Sequence, residues 1–185
     1  MRLESHSSVA TVAHDAQLRP VPRLRTCGCR GFFPELDLHP KGQEAMDHQV
    51  KGGGNSPVFQ SDMLCFTTDA RMEKLSQLES SGHAIEAVFW LKDLMTQWRI
   101  KGTAYAIGDP KRENERQEEA SSRHPANLVA DLSDPVARAN FRVVVIKPEK
   151  VERLDLTYQE DGKRWSWKLT GGSCDEDAEW NQTEV

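Results

Sequence analysis

Apolar and polar residues alternate along much of this chain, and the alternation stops at clusters of Gly, Pro and charge. Residues 8–13, SVATVA, read as a first strand. A turn-rich connection, HDAQLRPVP, leads to a second, RLRTCGCRGFF, so the two form an antiparallel pair. DMLCFTT is a third strand and runs into a helix expected over 70–81, with Asp69 as its N-cap and Gly82 at its end. AIEAVFWL and TQWRIKGTAYAIG are two more strands joined by KDLM. In the second of these, Gln97, Arg99 and Lys101 share one face while Trp98 and Ile100 share the other, as in a half-buried strand. DLSDPVARA is a short helix with Asp134 as N-cap and Pro135 at the first helical position. NFRVVVIKP, KVERLDL and RWSWKL are the remaining strands. About seven strands with two short helices predict a mainly β protein, a small β-barrel or sandwich.

Three segments lack this pattern. Residues 35–60 are rich in Gly, Pro and polar groups and read as a surface insertion. Residues 109–127, DPKRENERQEEASSRHPAN, are mostly charged and read as a second flexible insertion. Residues 170–185 form an acidic tail expected to fray. One domain is left, over 8–169.

Composition narrows the function. The chain has 185 residues, 37% hydrophobic and 29% charged, enough for one domain with a core. A net charge of −5 argues against a general nucleic-acid binder, whose footprint is basic. No apolar run approaches the ~18 residues of a membrane span, and the first residues lack the apolar core of a signal peptide. A cytoplasmic protein is expected. The four cysteines, Cys27, Cys29, Cys65 and Cys174, read as small buried thiols. Cys27-x-Cys29 with scattered histidines lacks the second ligand pair of structural zinc, so no metal is expected.

The candidate chemistry lies in three places. In FTTDARMEK, residues 66–74, a strand enters a turn and a helix start, which would direct several backbone N–H groups one way. Thr67 and Thr68 add hydroxyls there, and Arg71 and Lys74 add charge, a set suited to a phosphate monoester. A solvated helix face, with Asp69 capping and Glu73 offsetting charge, explains the same stretch. In RTCGCR, Arg25 and Arg30 flank the small residues Thr26, Cys27, Gly28 and Cys29, which would let a flat ligand approach the backbone. Gln97 can both donate to and accept from a heteroaromatic ring edge. No P-loop, G-x-G-x-x-G or G-x-S-x-G motif is present, and no catalytic residue is assigned.

Taken in order, RTCGCRGFF, LCFTTDARMEKLSQL, EAVFWLKDLMTQWRIKGTA and NFRVVVIKPEKVERLDL resemble the pyridoxamine 5'-phosphate oxidase-like family of FMN-binding split barrels. The likeness is greatest to the branch with R-T-V-x-x-R-G-F, T-D-x-R-S-x-K and Q-[FW]-R-x-x-G, and it spans most of 8–108 and 131–169. It implies an FMN-binding split β-barrel and a homodimer with FMN in the interface. It also implies a flavin-dependent oxidoreductase, with hydride passing from substrate to FMN and dioxygen reoxidising the flavin. Residues 25–30 would lie along the flavin, and Thr67 and Thr68 along its ribityl-phosphate side. Lys74, with Arg71 nearby, would hold the phosphate, and Gln97 would meet the ring edge. Met72 replaces the motif's Ser. The residues that grip a vitamin B6 phosphate have no counterpart in 109–127, and Leu154 stands roughly where the family has Trp. Two further readings remain open: a non-catalytic flavin or haem binder, and a degenerate family member that binds no cofactor.

Overall fold

A computed structural model describes residues 6–33, 61–108, 135–158, 160–170 and 179–184. The two expected insertions and Cys174 lie outside these residues. Among the described residues there are eight strands: β1 (His6–His14), β2 (Pro20–Phe32), β3 (Leu64–Asp69), β4 (Ala84–Leu91), β5 (Thr96–Ile107), β6 (Phe141–Asp155), β7 (Lys163–Thr170) and β8 (Glu179–Glu184). Helix α1 is Glu73–Ser80 and helix α2 is Pro135–Asn140, with a single 3-10 turn at Lys92–Leu94.

All pairings are antiparallel, in the order β3-β2-β1-β4-β5-β6-β7-β8. β3 also pairs with β6, which closes the sheet into a barrel. β6 is the shared wall. Its first half, Phe141–Ile146, pairs with β3, and its second half, Lys150–Asp155, pairs with β7. β5 lies along its other edge throughout. The barrel is therefore split where β6 changes neighbour.

At that point the β5–β6 register shifts between Lys101 and Gly102, and Gly102 sits opposite Pro148. A Cβ at Gly102 would lie 2.0 Å from the Lys147 carbonyl oxygen. Only glycine fits so close a backbone approach. Pro148 falls where a bulge already interrupts the ladder, so its missing N–H is tolerated. Pro20 and Pro22 are accommodated differently, since that half of β2 pairs with β1 alone.

The core fills the barrel. Val9, Phe66, Leu78, Phe89, Val144 and Ile146 are among its members, each almost fully buried. Leu78 comes from α1, which packs against β1. Cys27 and Cys65 are buried, as expected for small thiols, and Cys29 is partly so. Burial pushes the Cys65 thiol up to about 11.

Three expectations need correction. Helix α1 begins at Glu73 rather than near Ala70, and Met72, not Asp69, is its N-cap. The Asp69 carboxylate is already engaged, accepting from the Arg71 backbone N–H at 2.8 Å and from its guanidinium at 2.9 and 2.6 Å. This local turn competes with capping and delays the helix. NFRVVVIKP and KVERLDL are one strand, β6, because the bulge absorbs Pro148. The end of the acidic tail does not fray: residues 179–184 form β8, paired with β7. Asp134 lies outside the described residues.

Two outcomes follow for stability. Gly102→Ala should cost ~1–3 kcal/mol, the range for forcing extra atoms into a packed site, and calorimetry should show a clearly lower Tm. Gly82→Ala, where a Cβ meets nothing within 4 Å but φ is +67°, should cost less, near the ~1–2 kcal/mol of left-handed backbone strain. Separately, the folded state holds the Cys65 proton more tightly than the unfolded chain does. That contribution is complete below the ordinary thiol value of 9.0 and is lost as pH rises through about 11. Denaturant titrations between these values should show a steeper alkaline loss of stability in the wild type than in Cys65→Ala.

Candidate functional site

Strand alternation sorts the sequence-predicted residues onto two faces of the sheet. Arg25 lies opposite Val9, and Val9 opposite Ala87, both fully buried. Directly paired residues share a face, so Arg25 points inward, as do Cys27 and Cys29 two and four residues on. Thr68 shares this face with the core residues Leu64 and Phe66. Thr26 lies opposite Ser8, Ser8 opposite Val88, and Val88 opposite Arg99. That row faces outward, and Gly28 and Gln97 belong to the same surface.

Inside, Arg25 and Lys74 converge. The Lys74 Nζ donates to Thr68 Oγ1 at 2.8 Å. The Arg25 guanidinium donates to Thr11 Oγ1 at 2.8 Å and to Gln77 Oε1 at 2.7 Å. Thr11 in turn donates to the same Gln77 oxygen at 2.7 Å. Both cations act on the Cys27 thiol: burial pushes its pKa up, and Lys74 and then Arg25 pull it down. Among the described residues, no carboxylate lies within ion-pair distance of Arg25 or Lys74. Several other cations are matched by carboxylates, with Arg71 on Asp69 at 2.6 Å, Lys150 on Glu152 at 2.5 Å and Arg153 on Asp155 at 2.6 Å. Within the described residues, the inner cluster is thus a pair of positive charges held by neutral oxygens. Such an arrangement attracts an anion.

Arg71 stands apart from this cluster, with its guanidinium on Asp69. The bond holds the guanidinium pKa above its ordinary value. Met72 is 39% exposed and brings no hydroxyl to the turn. Arg30 is on the outer side, where its Nε donates to Thr67 Oγ1 at 3.3 Å. A register irregularity between Cys29 and Phe32, with Gly31 at φ 90°, turns the chain there. Cys65, also outward, donates to the Gly31 carbonyl at 3.3 Å.

The outer face also carries a shallow depression lined by Gln97, Arg99, Glu152, Leu154 and Arg164. Arg99 Nε donates to Gln97 Oε1 at 3.1 Å. The Glu152 carboxyl is held below its usual range, chiefly by its hydrogen bond from Lys150, with Arg164 and Arg99 adding to the effect. Gln97 therefore does not meet Arg25 and Lys74 within one chain. Among the described residues, no group of three His, Cys, Asp or Glu side chains is placed to hold a metal ion.

Thr11 and Gln77 are the members that sequence reasoning missed. Each carries a readable signal. Thr11 follows Val9 by two on the buried face of β1, and Gln77 adjoins Leu78 on the buried side of α1. A polar residue on an apolar face has to find a partner there.

Residues 2–108 match the family model described as the pyridoxamine 5'-phosphate oxidase FMN-binding domain. Comparison with curated proteins finds no match. Among solved structures, a pyridoxamine 5'-phosphate oxidase-related FMN-binding protein from Nostoc punctiforme is similar, with a TM-score of 0.60 and 18% identity. The match covers 98% of this chain and 87% of that one. PhzG from Burkholderia lata, solved with tetrahydrophenazine-1-carboxylic acid, gives a TM-score of 0.56 at 13% identity, covering 100% and 83%. At these identities the structures speak for a shared fold, and the antiparallel strands closed by the β3–β6 pairing agree with the expected split barrel. With the family model covering more than half of its length, this chain belongs to the pyridoxamine 5'-phosphate oxidase FMN-binding domain family.

Proposed function

We propose that the chain binds FMN, with Arg25 and Lys74 holding the 5'-phosphate, and serves as a flavin-dependent oxidoreductase. The observation that carries this reading is the charge of those two side chains around the buried Cys27, which no carboxylate among the described residues matches. A dianionic phosphate fits that site, because it supplies the negative charge the protein withholds. Thr68 keeps the Lys74 ammonium facing the cluster. Arg71, already bound to Asp69, adds long-range charge more than a direct grip.

The flavin's ring would need a second copy of the chain. Gln97 and Thr26 face outward while Arg25 and Lys74 face inward, so a single flavin touching both sets lies between two protomers. Exposed apolar groups on the outward rows of β5 and β6 support such an interface: Tyr105 and Ile107 are each 48% exposed and Phe141 51%. Gln97, steadied by Arg99, would then present its amide to the ring edge of the partner's flavin.

Bound FMN supplies reversible hydride acceptance, chemistry that no side chain offers. The protein's part is to bind and orient. Pyridoxamine phosphate is not the substrate in this reading, since the residues that grip a vitamin B6 phosphate are largely missing, with no counterpart in 109–127. Unpaired Cys27, Cys29 and Cys65 suit a reducing compartment such as the cytoplasm. Among the described residues, no helix is long and apolar enough to cross a membrane.

Titrating FMN against the protein by flavin fluorescence tests this. Arg25→Ala and Lys74→Ala should each raise the FMN Kd by about tenfold or more, the loss expected for a charge-assisted hydrogen bond worth ~1.5–3 kcal/mol. Riboflavin, which lacks the phosphate, should bind both variants as it binds the wild type. Unchanged FMN affinity in both variants, or no FMN uptake by the wild type, would overturn the reading.

A further inference from the structure

We propose that Gln77 and Thr11 are positioning residues that aim the Arg25 guanidinium at the flavin phosphate, and that their neutrality makes this site select phosphorylated flavin. The inference rests on the assignment of Arg25 and Lys74 to the phosphate and adds a device that tunes that assignment.

The three side chains form a closed ring of hydrogen bonds. Arg25 donates one N–H to Thr11 and another to Gln77, and Thr11 donates to the same Gln77 oxygen, all at 2.7–2.8 Å. The amide orientation is fixed by chemistry, because guanidinium can only donate and so must face the amide oxygen. Thr11 is 2% exposed and Gln77 7%. Both belong to packed elements, β1 and α1, so their positions are set by the fold and Arg25 conforms to them. Two of its five N–H groups are spent on this ring, and the others remain for a ligand. Arginine's long side chain loses much rotamer freedom when ordered. Ordering it before the ligand arrives removes that loss from binding.

The identity of residue 77 matters as much as its place. A glutamate there could accept the same bonds, but it would form an ion pair with Arg25 in a half-buried setting where screening is weak. The phosphate would then compete with an internal carboxylate for the same cation. Glutamine satisfies the guanidinium and leaves its charge intact. Glu73 bonds the other end of the amide, its carboxylate accepting from Gln77 Nε2 at 3.5 Å.

Glu at position 77 separates this role from a merely structural one. If Gln77 only satisfies a buried arginine, Gln77→Glu should leave FMN binding alone. We expect instead that Gln77→Glu raises the FMN Kd by about tenfold, as when a charge facing a ligand is cancelled, leaves riboflavin affinity unchanged, and melts at or above the wild-type temperature. Thr11→Val should weaken FMN binding and Thr11→Ser should restore it. Gln77→Leu should weaken FMN binding in the wild-type background and have no effect in Arg25→Ala, the non-additivity of groups acting as a unit. Wild-type FMN affinity in Gln77→Glu, with Arg25→Ala impaired, would overturn the positioning role and leave the phosphate assignment standing. Wild-type affinity in Arg25→Ala and Lys74→Ala as well would overturn both.

Discussion

β6 is bonded along both edges, and it changes partner in the middle. That constraint organises the molecule. The first half of the strand closes the barrel through β3, while the second half carries β7 and β8 away from it. The change is possible because Gly102 lets β5 approach the Lys147 carbonyl and Pro148 needs no donor partner. Closure through β3 has a consequence at a distance. It fixes the end of β3, where Thr68 stands, and the Asp69–Arg71 turn that launches α1 beside β1 and β2. Lys74 and Gln77 come from α1, Arg25 from β2 and Thr11 from β1. The inner cluster exists because the barrel is shut.

The cluster is electrostatically unusual. Two cations share a partly buried site, and among the described residues the groups they bond are hydroxyl and amide oxygens. Like charges held together destabilise a site unless something answers them. Other cations are answered by carboxylates two residues away, as in the pairs Arg71–Asp69 and Arg153–Asp155. Leaving Arg25 and Lys74 unanswered makes them available to a ligand. The same logic explains why Arg71, which looks from the sequence like a phosphate contact, stands outside the inner set.

Much of this was legible in the sequence, and the failures have physical causes. The period-two pattern of β5 placed Gln97, Arg99 and Lys101 on one face, and the structure agrees. The ordered motifs led to the family and its barrel. The helix start was misplaced because Asp69 had two local options, a cap or an Asx-type bond to Arg71, and spacing alone does not rank them. β6 was divided because proline ordinarily ends a strand, and a bulge is defined by the neighbouring strand rather than its own residues. β8 was overlooked because acidic residues mask its alternation, although Trp180 sits opposite Leu169 in the ladder. Thr11 and Gln77 lie 66 positions apart, and no local pattern reports a hydrogen bond over that separation.

The central claim is that the phosphate of FMN is held between Arg25 and Lys74. A crystal structure of the protein grown with FMN tests it most directly. The account predicts the phosphorus within hydrogen-bonding reach of the Arg25 guanidinium and Lys74 Nζ, with Gln97 of a second copy at the ring edge. A phosphate seated elsewhere, or no bound flavin at saturating FMN, would contradict it.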